Sequence, residues 1–218
     1  MRPRNLAWII ALAGASTSSA ATLTFSLEEV GGNVTLSVSG SIAGLSGWFN
    51  SGSGGNPTFI QSGSFSNRPW ETPGEINIQV TGSQFKNYTW FGGATAPSTF
   101  GTGGSYWETS APATGDSVKF SPGGVLSHPF MGAVTYNPMI SLPTDYVAGD
   151  LISTSAVFTG QTFNSLGLTP DSIHSWTYGI DTIQITVGSA VPEPSTYGLI
   201  LGGLALAGAA IRRRKSAK

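Results

Sequence analysis

The chain has 218 residues, a hydrophobic fraction of 39%, no cysteine and a formal net charge of −1. This length allows one domain with its own core, and the lack of cysteine means that the core stabilises the fold without disulfides. Seven of the ten cations lie among the first four and the last seven residues. The segment 21–194 keeps three cations and all eleven acids, a net charge of −8, which disfavours nucleic-acid binding.

The first 20 residues have the three parts of a secretory signal peptide. Two arginines among the first four residues form a positive n-region, and residues 6–15 are an apolar stretch. Ser18 and Ala20 occupy the −3 and −1 positions for cleavage before Ala21, and cleavage after Ala21 is a near-equal alternative. An uncleaved N-terminal anchor is disfavoured because the apolar stretch is short. We therefore expect an exported chain, with residues 1–20 removed by signal peptidase.

The body of the chain, residues 21–190, is predicted to be all-β. Apolar and polar residues alternate in 22–27 and 34–39, on either side of Gly31 and Gly32, which is the pattern of a β-hairpin. Alternation or aromatic enrichment predicts further strands at 76–80, 85–91, 118–120, 151–158 and 182–187. Because no window has a sustained helical period, we expect a single antiparallel β-sandwich, jelly-roll-like in character.

Two irregular stretches, 46–70 and 92–115, interrupt these predicted strands. Glycine is frequent in both, and serine and asparagine are frequent in the first. We predict long surface loops there, since binding sites on a rigid sandwich usually lie on its loops. The alternative is that both stretches only connect strands.

The two histidines and the acids form no convincing catalytic or metal-binding motif. His128 and His174 are not accompanied by a glycine-flanked serine of the nucleophile-elbow type. The aspartates do not have the spacing of an EF-hand, and no paired histidines or cysteines indicate zinc. A structural calcium is compatible with the acidic loops, but no motif supports it. We expect no metal, no cofactor and no enzymatic activity.

Glutamates are the nearest approach to an enzyme site. Glycosidases use two carboxyl groups on either side of the scissile bond. The candidate residues are Glu28 with Glu29, Glu71 with Glu75, and Glu108 beside Trp107. Adjacent strand residues point to opposite faces, so Glu28 and Glu29 cannot line one cleft. Solvated surface charge is the competing interpretation of all of them.

Tryptophans in irregular surroundings are better candidates for a binding site. Sugar rings stack on exposed aromatic faces, and ligand sites are rich in aromatic side chains. The candidates for glycan contact are Trp48, Trp70 and Trp107. The alternative is that these rings fill the core of a domain that has no disulfides.

The last 28 residues, 191–218, form a separate tail with a stiff motif, an apolar run and a basic end. Prolines restrict their own backbone and the residue before them, so an extended recognition segment is predicted at Pro192, Glu193 and Pro194. A transmembrane helix is predicted over about 196–211. The uncharged run, residues 197–211, spans roughly 22 Å as a helix, which is less than the ~30 Å thickness of the hydrocarbon core of a bilayer.

The basic end of the tail is predicted to stop the helix on the cytoplasmic side of the membrane. It consists of Arg212, Arg213, Arg214 and Lys215. A buried C-terminal core helix is the alternative, but such a helix would not end in four consecutive cations after an apolar stretch.

These three parts together resemble a PEP-CTERM sorting signal, with Pro192, Glu193 and Pro194 as its motif. The resemblance implies recognition by an exosortase, an integral-membrane cysteine transpeptidase or protease of Gram-negative bacteria. It also implies that this enzyme removes the tail and releases the protein or attaches it to the surface. A sortase signal would need Leu-Pro-x-Thr-Gly, and a lipid-anchor signal would usually end in its apolar tail.

Parts of the body also resemble a group of PEP-CTERM-bearing bacterial proteins. These parts are residues 31–34 with 39–42, residues 142–143 with 146–149, and residues 162–170 with 176–179 and Asp181. That resemblance implies no activity. We interpret its glycines and prolines as turn residues and its leucine, phenylalanine and tryptophan as core residues.

The sequence thus predicts an exported, non-enzymatic protein of the cell surface or extracellular matrix. Its predicted partners are signal peptidase, exosortase, the inner membrane through the C-terminal helix before cleavage, and polysaccharide. The resemblance implies an association with exopolysaccharide and biofilm. A lectin-like carbohydrate-binding module is the alternative, and a secreted glycan hydrolase is the less favoured one.

Overall fold

The fold was obtained as a computed structural model. It describes residues 20–44, 48–53, 58–62, 65–66, 71–72, 74–80, 83–89, 100–101, 106–109, 111–128 and 132–191. Every regular element within these ranges is a β-strand, so the predicted all-β class is confirmed. No helix in the described ranges is long and apolar enough to cross a membrane. Residues 1–19 and the tail from 192, with its predicted transmembrane helix, lie outside them.

The strands follow one another along the whole body of the chain. In chain order they are β1 (Thr22–Val30), β2 (Asn33–Gly40), β3 (Trp48–Ser53), β4 (Thr58–Gln61), β5 (Phe65–Ser66), β6 (Glu71–Thr72), β7 (Glu75–Ile78), β8 (Gln84–Thr89), β9 (Tyr106–Thr109), β10 (Thr114–Gly115), β11 (Val118–Ser121), β12 (Gly124–His128), β13 (Gly132–Tyr136), β14 (Met139–Pro143), β15 (Ile152–Thr159), β16 (Ser172–Tyr178) and β17 (Asp181–Val191).

Two large sheets form a sandwich-like body. Sheet A has six strands in the order β10-β15-β2-β1-β17-β16. Sheet B has seven, in the order β3-β8-β14-β11-β7-β4-β9. The pairs β12-β13 and β5-β6 make two further small sheets.

One strand pair departs from the predicted antiparallel sandwich. The first strand, β1, and the last strand, β17, are parallel neighbours at the centre of sheet A. Parallel strands need a long crossover, and here the entire chain between them supplies it. The other strand pairs described are antiparallel.

The predicted hairpin at the start of the body is confirmed. Strands β1 and β2 pair along their full length, and Val30 lies opposite Asn33. The two residues between them, Gly31 and Gly32, have φ angles of 60° and 70°. A two-residue type I′ turn needs positive φ at both positions, which glycine adopts without steric strain.

The core lies between the inner faces of the two sheets. Alternate residues of sheet A strands are buried, as the period-2 pattern predicts: Leu23, Phe25, Leu27, Val34, Leu36, Val38, Ile183, Ile185 and Val187. Sheet B contributes Ile60, Ile76, Ile78, Val118, Phe120, Ile140 and Leu142 to the same core.

Three aromatic rings join the sheets across this core. The ring of Phe120 in sheet B lies 5.9 Å from that of Phe25 and 4.9 Å from that of Trp176, both of which belong to sheet A. The Phe120–Trp176 contact is edge-to-face, a favoured geometry for aromatic pairs. Trp176 is only 1% exposed, so its predicted core role is confirmed.

The prediction of long surface loops was wrong in part. Stretch 46–70 contains β3 and β4, and all four residues of β4 are buried. Strand β4 lies inside sheet B, between β7 and β9, with no water-exposed face to produce a polar alternation. Stretch 92–115 contains β9 and β10, and its Phe100 is fully buried.

Candidate functional site

Trp107 is the candidate glycan-contact residue whose side chain the structure describes. It lies on β9, the edge strand of sheet B, and is 36% exposed. Its indole Nε1 donates a hydrogen bond of 2.8 Å to the backbone carbonyl of Ser165. The ring is therefore held at the sheet edge in one orientation while part of it remains open to solvent.

The sheet order separates Trp107 from Trp48. Trp48 begins β3, which is the opposite edge strand of the seven-stranded sheet B. With ~4.8 Å between neighbouring strands, the two edges are roughly 29 Å apart along the sheet. Trp70 and the side chain of Trp48 lie outside the described residues. Trp48 and Trp107 therefore do not form one compact site.

Tyr106 and Glu108 flank Trp107 and share the opposite face of β9. The Tyr106 hydroxyl donates a 2.6 Å hydrogen bond to Glu108 Oε1. Partial burial and the adjacent Glu108 carboxylate raise the pKa of Tyr106 well above its ordinary value. The Tyr106 ring also packs against Phe59, with a centroid distance of 4.8 Å. This contact supports the edge strand, and the only sequence signal for it is the local aromatic enrichment.

Two of the glutamates that are candidates for glycosidase chemistry form contacts with other side chains of the fold. Glu108 accepts the Tyr106 hydrogen bond. Glu75 forms a 2.8 Å ion pair with Lys119, one strand away on β11, and both side chains are about four-fifths buried, with exposed fractions of 21% and 19%. Strand register places Glu75 and Glu108 on one face of sheet B, on either side of β4. The side chain of Glu71 lies outside the description.

Glu28 and Glu29 point to opposite faces of β1, as predicted. Glu28 is exposed, whereas Glu29 Oε2 accepts a 2.5 Å hydrogen bond from the backbone N–H of Phe163. Phe163 is itself 1% exposed, so the carboxylate fixes the position of a core residue in the loop after β15.

His174 is built into the edge of sheet A. Its Nε2 is 3.3 Å from the Ser172 hydroxyl, and its ring lies 6.3 Å from that of Trp176. Burial lowers the pKa of His174, which favours the neutral imidazole at pH 7. The side chain of His128 lies outside the description. Among the residues that the structure describes, no three His, Asp or Glu side chains are grouped so as to hold a metal ion.

The end of the body leads directly into the tail. Strand β17 pairs with β1 to its last residue, where Ala190 and Val191 lie opposite Glu29 and Val30. Pro192 is the next residue in the sequence, so no linker separates sheet A from the predicted sorting motif.

Comparison with known families decides the nature of this tail. Residues 190–215 match the family described as the PEP-CTERM protein-sorting motif. The chain is a PEP-CTERM domain-containing protein. The match includes Pro192, Glu193 and Pro194 and the four basic residues from Arg212 to Lys215, all outside the described structure. A PEP-CTERM motif implies sorting by an exosortase to the cell surface or the exterior.

The body of the PEP-CTERM protein is outside that match. No curated protein and no solved structure matches the chain.

The outer face of sheet A in this PEP-CTERM protein is nearly uncharged. Hydroxyl and amide side chains alternate with the core residues along its strands: Thr24, Ser26, Thr35, Ser37, Ser39, Ser153, Ser155, Ser175, Thr182, Gln184 and Thr186. Among the described residues of this face, Glu28 is charged, and Val157 and Ile173 are exposed and apolar. Such a face offers neutral hydrogen bonds to water or to another polymer.

Asp181, at the start of β17, is a buried acid for which the sequence indicated no role. Its side chain is fully buried, and it accepts hydrogen bonds from three backbone N–H groups, those of Ala21, Ala43 and Gly44. These donors lie at least 137 residues away along the chain, so no local pattern could have indicated the contact.

Proposed function

We propose that this is a non-enzymatic protein of the cell surface or extracellular matrix of a Gram-negative bacterium. Signal peptidase removes residues 1–20, and the C-terminal helix over about 196–211 anchors the chain transiently in the inner membrane. An exosortase then removes the tail. The match of residues 190–215 to the sorting motif is the observation that carries this proposal.

The length of the apolar run supports a temporary anchor. A run of roughly 22 Å is short for a ~30 Å hydrocarbon core, so it crosses only with help from flanking residues such as snorkelling arginines. A marginal span suits a signal that is cut, whereas a permanent anchor would be longer.

The body supports a structural role. Glu29, Glu75 and Glu108 each have a hydrogen-bond or ion-pair partner that stabilises the fold. The acidic charge and the hydroxyl-rich outer face of sheet A favour hydration and contact with neutral polysaccharide. The resemblance to PEP-CTERM-bearing proteins implies an association with exopolysaccharide in a biofilm matrix, and we infer that association for this chain.

The sorting route is tested by replacing Pro192, Glu193 and Pro194 with alanines. We expect the variant to remain in the inner membrane with its tail intact, because the exosortase loses its stiff recognition segment. Membrane fractionation and mass spectrometry of the C-terminus measure this. Pro170→Ala, at an exposed loop proline, is the control and should be processed as the wild type. A mature wild-type chain that still contains Arg212 would contradict exosortase cleavage.

A lectin-like function is the second candidate, and the anchored, partly exposed ring of Trp107 favours it. A ring already fixed in position loses little conformational freedom when a sugar stacks on it. A secreted glycan hydrolase is less favoured, since Glu75 and Glu108 are engaged in structural contacts.

Trp107→Ala is expected to weaken binding to the producing cell's own polysaccharide by about tenfold, or ~1.4 kcal/mol. The loss follows from removal of the stacking face, and co-sedimentation with purified polysaccharide measures it. Leu151→Ala removes a side chain that is 82% exposed and serves as the matched control. A wild-type protein that does not bind that polysaccharide would exclude the lectin-like function.

A further inference from the structure

The carboxylate of Asp181 holds together the start of β1, the start of β17 and the segment after β2. Its Oδ1 accepts the N–H of Ala21 at 2.9 Å, and its Oδ2 accepts those of Ala43 and Gly44 at 2.8 and 2.6 Å. The Ala21 carbonyl in turn accepts the N–H of Thr182 at 2.9 Å. Ala21 is therefore fixed by both of its backbone polar groups.

The negative charge of Asp181 has no cationic side chain near it in the part of the chain that the structure describes. The ion pair found in those ranges joins Lys119 to Glu75, in the other sheet. Three backbone N–H groups stabilise this buried carboxylate by hydrogen bonding, but none of them carries a net charge. A positive charge next to Asp181 would add a direct Coulomb attraction inside the low-dielectric interior.

Ala21 is also the residue that follows the predicted signal-peptidase site. In the precursor its nitrogen is an uncharged amide. Cleavage adds water across the Ala20–Ala21 bond, so that Ala20 keeps the new carboxylate and Ala21 gains a protonated α-amino group. The new charge is thus created on the atom that already lies 2.9 Å from Asp181 Oδ1.

We propose that Asp181, with the N–H groups of Ala43 and Gly44, is a binding site for the α-ammonium group that signal-peptide removal creates at Ala21. The proposal rests on the export route given above. It makes the folded body more stable after cleavage than before it, because the buried carboxylate acquires its counter-charge only then. Removal of the signal peptide thereby favours completion of sheet A.

The same geometry favours one of the two cleavage positions, before and after Ala21, that the sequence alone supports almost equally. Cleavage before Ala21 places the ammonium group at Asp181. Cleavage after Ala21 removes the nitrogen that Asp181 binds and leaves the charge one residue further along β1. Ala20 is exposed and Ala21 is half-buried, so the body begins at Ala21. The site before Ala21 is the one that fits the fold.

The test uses the full gene, exported by its own signal peptide, with the mature N-terminus read by mass spectrometry. A glycine inserted between Ala20 and Ala21 keeps Ser18 and Ala20 at the cleavage site but moves the ammonium one residue away. We expect this insertion to raise the unfolding equilibrium constant at least tenfold. In an Asp181→Asn background the insertion should change it less than twofold. An equal effect in both backgrounds would overturn the proposal, and Asp145→Asn, at an exposed acid, is the control background.

Acylation of the α-amine gives a second measurement that does not require the Asp181 variant to fold. In the native wild type the amine should react at least tenfold more slowly than in urea, whereas in the glycine-insertion protein it should react at nearly the urea rate. Equal rates in the native wild type and in urea would overturn the ammonium site and leave the export route intact. A mature chain that starts at Thr22 would likewise overturn the ammonium site and leave the export route intact. An uncut signal peptide would overturn both the ammonium site and the export route.

Discussion

Replacing Trp176 with alanine is expected to lower the free energy of unfolding by about 3–5 kcal/mol. The side chain is 1% exposed and packs edge-to-face on Phe120 of the other sheet at 4.9 Å. Its removal leaves a cavity at the point where the two sheets meet, and the rings around it cannot collapse to fill it without moving whole strands. Urea denaturation followed by circular dichroism measures the change.

Ile173→Ala is the matched control for this substitution, because Ile173 lies on the same strand and is 64% exposed. Its effect should stay below about 1 kcal/mol. Similar losses for the two variants would mean that Trp176 does not join the sheets as described.

Gly40→Ala is expected to lower the free energy of unfolding by more than about 3 kcal/mol, through backbone strain and steric overlap together. Gly40 ends β2 with a φ angle of 121°, which side-chain-bearing residues rarely adopt. A Cβ built there would lie 2.0 Å from the carbonyl oxygen of Thr22, which accepts the N–H of Ser41. The added methyl group must therefore push β1 and β2 apart.

Gly160→Ala separates these two contributions. Gly160 has a φ angle of 70°, but nothing lies within 4 Å of an added Cβ. This variant should lose only about 1–2 kcal/mol, the strain of a left-handed backbone. Thermal unfolding of both variants measures the difference, and a Gly40→Ala protein as stable as Gly160→Ala would argue against the close approach of β1 and β2.

The sequence correctly predicted the strands that have one buried face and one face open to solvent. Strands β1, β2 and β17 each bury one face and expose the other, so their apolar residues alternate visibly. Strand β4 is buried on both faces, and its four residues show no alternation. The sequence predicts a loop for this stretch because the neighbouring glycines and serines dominate the local composition.

Functional sites, likewise, could be predicted from the sequence only where their residues lie close together along the chain. The sorting tail is a continuous segment, and its motif, apolar run and basic end could be recognised without any structure. The contact between Asp181 and Ala21 joins residues 160 positions apart, and the Glu75–Lys119 pair depends on strand order. Only the fold brings such residues together.

The parallel pairing of β1 with β17 sets the order of events during export. In an exported chain β1 is among the first segments to leave the translocation channel, yet one of its two neighbours, β17, is the last strand of the body. Until β17 arrives, β1 keeps an unpaired edge that can attract other chains, and such long-range pairing forms slowly. The sorting motif begins at the residue after β17. Strand β17, which completes sheet A, is therefore followed at once by the sorting motif. The sheet can be completed and the motif becomes accessible at the same stage of export.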